Sequence, residues 1–460
     1  MSQTTSASQT TGTSTSTSAN AGVGQTTSAG AGVGQSASVP TVKGRLGEAT
    51  ALVRKAMSGT PGRMRVLALL AVVVCLVFAI SAFSIFESTE GALSRGGANT
   101  AQLVRIQAIH TNLVRADADE TNLFLVGGLE PVAQRSDYIS SLAQASRLIA
   151  QAATAQPADG QALGALNSSV LTYAGLIEQA RATNRQALPV GSQYLRVASS
   201  GLRSDALPIL DALVKANQAR VSAEFDGAKA GSAPLIATGV LALLVLIGGM
   251  VWLSLRTHRY VNPPLAAATA AILVTLVIGS ISLASVGTRV TEVRDGSYAA
   301  TLATATARIA AFDAKSNESL TLIARGSGSA FEKAWKGSST VVTAESKAAA
   351  KLSIDATKLG GLWAVYVGTH KKIRAADDGG TYAAAVTQAT GSGPTSANAT
   401  FDAFDARSEA ALTSSTQAAS DSLDAPRTWL PFAAWLALLV GAAAAVSAWW
   451  GVSLRLEEYR

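Results

Sequence analysis

Four stretches of this chain carry no charged side chain and are long enough to cross a lipid bilayer: Val66–Phe86, Pro234–Leu255, Pro264–Val286 and Thr428–Leu454. About 20 helical residues, each rising 1.5 Å, cover the roughly 30 Å hydrocarbon core, so each stretch reads as a membrane-spanning helix. The chain has 460 residues, of which 48% are hydrophobic and 15% charged, the balance of a membrane protein with room for two or three domains.

Arg54, Lys55, Arg63 and Arg65 precede the first span, whereas Glu87 and Glu90 follow it. Positive charge stays on the cytoplasmic side, so the amino terminus is expected there. Four spans then return the carboxyl terminus (455–460) and a short turn (256–263) to the cytoplasm, and place two long segments, 88–232 and 288–425, outside a plasma membrane. The long polar stretch ahead of the first span argues against a cleaved signal peptide. Trp252, Trp449 and Trp450 fall at the inner edge and Trp429 at the outer edge, as interfacial anchors do. The only cysteine, Cys75, lies in the first span, which rules out an intrachain disulfide. The net charge of +7 is spread along the chain, so no nucleic-acid surface is expected.

The chain writes one pattern twice. Ser254-Leu255-Arg256 and Tyr260 match Ser453-Leu454-Arg455 and Tyr459, and at the same offset Arg95–Leu103 (RGGANTAQL) matches Arg294–Leu302 (RDGSYAATL). Both matches fall at equivalent places in the membrane pattern, which suggests a tandem duplication of span, outer domain, span. Gaps are needed elsewhere, because Pro234 and Pro426 do not keep the offset.

Both outer segments are rich in alanine and read as helix. Leu103, Ile106, His110, Leu113, Asp117, Glu120 and Phe124 alternate spacings of three and four, the seam of a packed helix, and Leu210, Val214, Asn217, Val221 and Phe225 repeat the pattern. Breaks at GGLEP (Gly127–Pro131), QPADG (Gln156–Gly160) and LPVG (Leu188–Gly191) divide the first segment into four helices. RGSGS (Arg325–Ser329), Gly360-Gly361, DDGG (Asp377–Gly380) and GSGP (Gly391–Pro394) divide the second. Pro208 should start or kink its helix. The expected fold is an all-α membrane protein in which four transmembrane helices carry two extracytoplasmic antiparallel four-helix bundles.

Residues 1–62 form a cytoplasmic tail dominated in its first forty positions by Ser, Thr, Gln, Gly and Ala, with AGVGQ written twice. Such a segment buries too little apolar surface to fold. It is either a plain solvated tail or a kinase substrate whose phosphates would face the basic run Arg54–Arg65.

Enzyme chemistry finds no foothold: there is no glycine-rich phosphate loop, HExxH or GxSxG, and the chain has only three histidines. No catalytic residue, metal site or cofactor is expected. His258 belongs to the cytoplasmic turn. His110, Asp117 and Glu120 share one helix face, either as satisfied seam or surface residues or as a ligand- or partner-contacting patch. Trp363, Tyr366 and His370 share a face beside Lys371, Lys372 and Arg374, with Trp335 on the preceding helix; this stripe is either core or, if exposed, a docking surface. The spans carry no ionisable group of the kind that ion-coupled transporters place within the bilayer. The cytoplasmic parts, about seven residues between spans two and three and fewer after span four, are far below the size of a folded effector domain.

A span, helical bundle, span unit resembles the sensory half of bacterial chemoreceptors and sensor kinases. The whole layout, from about Arg63 to Tyr459, resembles the GlnX-type membrane proteins of actinobacteria. That resemblance implies a relay in which an extracytoplasmic glutamate-class solute-binding lipoprotein reports amino-acid supply through the membrane to the cytoplasmic serine/threonine protein kinase G. The alternative is a structural envelope scaffold that conveys no state.

Overall fold

A computed structural model describes residues 60–127, 130–257 and 262–457, and among these every regular element is helical. The expectations for the tail before Thr60, for His258 and its neighbours in the turn, and for the last three residues lie outside the described residues.

The first helix, α1 (Thr60–Val126), runs 67 residues without a break, roughly 100 Å at 1.5 Å per residue. It therefore crosses the first span and continues to the far tip of the bundle. It ends at Gly127, whose φ of +68° reverses the chain at little cost because glycine lacks a Cβ. Helices α2 (Val132–Ala155) and α3 (Gly160–Arg185) run back and forth, joined through a short 3-10 turn at Pro157–Asp159. Helix α4 (Gly191–Gly201) passes through a π-helical turn, Leu202–Ala206, into α5 (Leu207–Lys229). Pro208 follows directly on that wide turn, so the proline is absorbed without ending the helix. Helix α6 (Ser232–Thr257) is the second apolar span.

The second half repeats this order. Helix α7 (Pro263–Val293) carries the third span and continues through a π-helical turn, Arg294–Tyr298, into α8 (Ala299–Ile323). Then come α9 (Ser329–Leu352), a 3-10 turn at Ile354–Ala356, α10 (Leu359–Asp378), a short α11 (Tyr382–Thr390), α12 (Ala397–Arg427) and the fourth span, α13 (Leu430–Glu457). Gly360-Gly361 lie in the first turn of α10, and the chain breaks ahead of them, at Ser353–Lys358. Ser396 starts α12 by accepting the Ala399 N–H on its hydroxyl (3.2 Å).

Four helices are thus long and apolar enough to cross a membrane, the architecture of a multi-pass membrane protein. They form a ring in which α1 and α7 each lie beside both α6 and α13. Their outward faces expose Leu69, Ile80, Leu244, Ile281, Phe432 and Val446, a continuous apolar surface that is stable against lipid but not against water. Between spans, Phe78, Phe86, Leu235, Ile272 and Leu276 pack around close approaches at small residues: a Cβ on Gly441 would collide with Ala79. Asn262 donates its amide to the Gly451 carbonyl (2.6 Å), tying the start of α7 to α13.

Beyond the spans the chain builds two bundles that share a wall. The core of the first gathers Ile106, Leu113, Tyr138, Ile149, Leu166, Tyr173, Ile177 and Leu210, and it also takes Leu320 from α8. That of the second gathers Phe312, Trp335, Trp363, Tyr366, Phe401 and Phe404, and it takes Val114 and Ala118 from α1. Helices α1 and α8 pack side by side and exchange core residues. Every residue of α8 from Ala314 to Leu322 is buried, because neighbours enclose this stretch on all sides. Ion pairs collar the necks where bundle meets span: Arg95 to Glu224 (2.9 Å), Arg294 to Asp226 (3.0 Å) and Arg427 to Glu90 (3.4 Å).

Candidate functional site: the polar seam between the bundles

The wall shared by α1 and α8 is where buried charge concentrates. Asp117, on the interior face of α1, is 1% exposed and accepts hydrogen bonds from Ser199 (2.6 Å) and, across the seam, from Ser316 (2.6 Å). Arg203, on the π-helical turn between α4 and α5, lies 3.1 Å from Asp117 and 2.9 Å from Asp313 on α8, so one guanidinium joins the two bundles. Arg203 also donates to the Ser316 hydroxyl (3.1 Å). Asp405 of the second bundle meets two cations at the same wall: the largely buried Arg308 (2.6 Å) and, from α1, the partly exposed Arg115 (3.5 Å). A buried carboxylate is stable only when paired and hydrogen-bonded, and Asp117 and Asp405 meet that condition.

Asp119 is held more loosely: its side chain is 26% exposed and its Oδ2 lies 4.0 Å from Arg115. It lines a pocket of about 120 Å³ between α1, α2, α8 and α12, with Gln134, Phe312, Lys315 and Phe401 among the lining and the exposed Asp137 and Asp402 at its rim. The Oδ2 of Asp119 and the Oε1 of Gln134 are buried without a hydrogen-bond partner among the described residues. Burial pushes the Asp119 carboxyl up to about 8, outweighing Arg115, and raises Asp402 as well. Lys315 is buried and contacts Glu318 at 3.5 Å; burial holds its ammonium below the usual lysine value.

The residues singled out from sequence occupy this region or the core behind it. Leu103, Ile106, His110, Leu113, Asp117 and Glu120 all point inward, so the three polar members are seam residues and not a surface patch. His110 lies 4.0 Å from Asp211, and burial lowers its pKa. Glu120 sits under Arg135 (3.3 Å) and Arg181 (3.8 Å), and burial nonetheless pushes it up to about 8. The aromatic stripe is buried, as the core alternative for it expects. Trp335, Trp363, Tyr366 and His370 are each at most 5% exposed, while Lys371 and Lys372 turn to solvent. Helical spacing of three and four puts the large apolar rings on one face, and burial of that face wins. His370 stacks on Trp335 (3.5 Å between ring centres) and bridges Glu318 (2.8 Å) and Glu332 (3.2 Å).

Sequence reasoning missed Asp119, Lys315, Asp402 and Arg203. The available signal was charge at core spacing: Arg115 and Asp119 one turn apart on α1, and Asp402 and Asp405 one turn apart on α12.

A second cleft, of about 770 Å³, opens between the bundle tips and is lined by Phe124, Leu188, Pro189, Ile323, Arg325 and Tyr382 among others. Two of its residues, Ala187 (φ +55°) and Arg325 (φ +42°), hold left-handed backbone.

No curated protein and no solved structure matches the chain. Residues 92–226, from the neck of α1 to the neck of α5, match the family model described as an actinobacterial sensor domain. A sensor-domain match over the first bundle, on a chain with four helices able to cross a membrane, fits an actinobacterial sensor membrane protein with a role in sensing or signalling.

Proposed function

We propose that this chain is a non-enzymatic transmembrane signal transducer: its two bundles lie outside the cell, read amino-acid supply of the glutamate and aspartate class, and pass the state to a cytoplasmic serine/threonine protein kinase. The observation that carries the reading is continuity. Helix α1 runs unbroken from the span to the bundle tip, and α7 runs into α8 through one π-helical turn, so the two helices that make the seam are also two of the spans. A shift of one against the other at the seam is delivered across the bilayer, because packed helices move as bodies.

The input would come from a solute-binding lipoprotein docked at the cleft between the tips, where α1, α3, α8 and α11 converge. Closing or opening that cleft changes the α1–α8 contact directly. The two halves we read as copies of one unit. Their element order recurs, and Asp117 and Ser316, 199 positions apart, meet face to face, as equivalent residues do beside a two-fold axis. A duplicated unit provides within one chain the four spans that a dimeric receptor assembles from two. This is the layout of the GlnX-type proteins.

The test is crosslinking in cells followed by affinity capture of the detergent-solubilised protein, with and without external glutamate or aspartate. The expected result is a solute-binding lipoprotein and a serine/threonine kinase, with kinase-substrate phosphorylation that follows amino-acid supply. Capture of envelope-building proteins alone, unchanged by supply, would instead establish a scaffold.

A further inference from the structure

We propose that the outward face of α9 is a docking strip for a linear acidic glycan, held by Lys333, Lys336, Lys347 and Lys351. Lysine, unlike charge as a whole, is unevenly placed: seven of the chain's twelve lie between Lys333 and Lys372, and all seven are exposed. Along α9, Lys333, Lys336, Thr340, Ala344, Lys347 and Lys351 follow one another at steps of three and four, so they form one stripe. It lies opposite the buried Trp335, Ser339, Val342, Ser346 and Ala349 and is roughly 27 Å long at 1.5 Å per residue.

Little within the protein neutralises this stripe. Of the five acidic residues from Ser329 to Asp378, Glu332, Asp355, Asp377 and Asp378 are drawn into ion pairs with His370, Arg374 or Arg407, which leaves Glu345. Lys336 reaches Glu332 (3.3 Å), whereas Lys333, Lys347 and Lys351 have no ion-pair partner among the described residues. The first half of the chain supplies a comparison. Helices α2 and α3, which hold the corresponding places there, contain no lysine, and Arg135 and Arg181 are turned onto Glu120, Glu130 and Glu178. The stripe is therefore a property of one half and not of the bundle fold.

The chemistry of the stripe selects its occupant. Unpaired ammonium groups repel one another, and a polyanion that reaches several at once removes that repulsion. Between the pairs Lys333/Lys336 and Lys347/Lys351 the floor is Gly337, Thr340 and Ala344, small enough for a chain to lie against the helix. A chain of uronic acids carries one carboxylate per sugar, a spacing close to one helical turn. Phe331 is half-buried and Trp335, Trp363 and Tyr366 are buried, so the face offers neither a stacking platform for bases nor an aromatic anchor for a folded protein. Lipid head groups are too far away. Asp355, in the turn between α9 and α10, pairs with Arg407 (3.5 Å), roughly 30 Å along α12 from Arg427, well beyond the ~8 Å reach of a charged bilayer surface. The inference goes beyond the transducer reading and rests on it only for the side of the membrane, where an acidic glycan belongs to the cell envelope. A second bundle held to the envelope gives the first a fixed body to move against.

The experiment is fluorescence-anisotropy titration of labelled polygalacturonate with the full-length protein in nanodiscs of zwitterionic lipid. Dextran of equal length is the neutral probe and poly-L-glutamate the polypeptide probe. Polygalacturonate should bind saturably, with affinity falling about tenfold or more between roughly 50 and 200 mM salt as counterions are released. Lys347→Gln together with Lys351→Gln should weaken binding by about tenfold, and adding Lys333→Gln and Lys336→Gln should weaken it further. Lys215→Gln together with Lys229→Gln removes the same charge elsewhere and should change affinity by no more than about twofold; circular dichroism reports whether each variant keeps its helix. No saturable binding, dextran binding equally well, affinity indifferent to salt, or equal losses from the two double variants would overturn the strip. Tighter binding of poly-L-glutamate would overturn the glycan and assign an acidic polypeptide in its place. No amino acid or kinase enters the titration, so failure of the relay leaves this site standing, and failure of glycan binding leaves the relay untouched.

Discussion

His370 shows what a single residue contributes here. It joins three helices: its ring nitrogens meet Glu318 on α8 and Glu332 on α9, and its face stacks on Trp335 of α9. Burial alone would lower its pKa, but the two carboxylates prevail and raise it. Its stabilisation is therefore complete below the unfolded value of about 6.5 and is lost as pH rises through the higher folded value. Glu318 and Glu332 are shifted the other way, downward, so their share is present above about 4.3 and is lost on acidification. His370→Gln keeps a polar side chain of similar reach but cannot carry the charge. It should cost on the order of 2–4 kcal/mol at about pH 6, since it leaves Glu318 and Glu332 without their shared cation, and the difference from the parent protein should shrink by about pH 9. Chemical unfolding of the detergent-solubilised protein at both pH values measures this. A penalty that does not change with pH would show that stacking on Trp335, and not the ion pairs, holds the ring.

Whole helices meet in the membrane ring by close approach, not by charge. At the α1–α13 contact, Gly441 faces Ala79 with no room for a Cβ. Gly441→Leu should force the two spans apart and destabilise the protein by roughly 2–4 kcal/mol, read as a lower midpoint on titration with a denaturing detergent. An unchanged midpoint would mean that the spans are held by the bundles above them. The spans, the inward seam of α1 and most helix ends were legible in the sequence, because charge-free length, a spacing of three and four, and Gly/Pro punctuation are local signals. Leu163, Leu166, Val170, Tyr173, Ile177 and Ala180 line the inner face of α3 by the same rule. What could not be read was the partner of each buried charge. Arg203 and Asp313 are 110 positions apart, and the period of a helix tells which face of it is inward but not which neighbour that face meets. Helix α8 shows the limit best. Lys315, Asn317 and Glu318 are polar, yet all three are buried because α8 is enclosed between two bundles. Sequence periodicity carries no sign of that second neighbour.

At the scale of the whole molecule, the question is whether the two bundles move as one body. Apolar interlocking through Leu320, Val114 and Ala118 competes with the partly buried ionic bridge Asp117–Arg203–Asp313 as the element that fixes their register. Asp117 keeps Ser199 and Ser316 if Arg203 is removed, and Asp313 keeps Asn317 and Ser338, so neither carboxylate is stranded completely. The loss from Arg203→Met should therefore fall at the lower end of the roughly 3–5 kcal/mol typical for breaking a buried pair. That is enough to loosen the register without unfolding either bundle. Spin labels at Ser168 and Thr340, both exposed, report the distance between bundles once Cys75 is replaced by Ala. Arg203→Met should broaden that distance distribution while helix content stays constant, and under the relay proposed above it should blunt the phosphorylation response to amino-acid supply. If the distribution stays narrow, apolar interlocking alone sets the register, and the bridge is a consequence of the packing and not its cause. If the distribution broadens and the response survives, the signal passes along α1 without needing α8 to follow, and the shared wall would be a mount for the sensor and not its moving part.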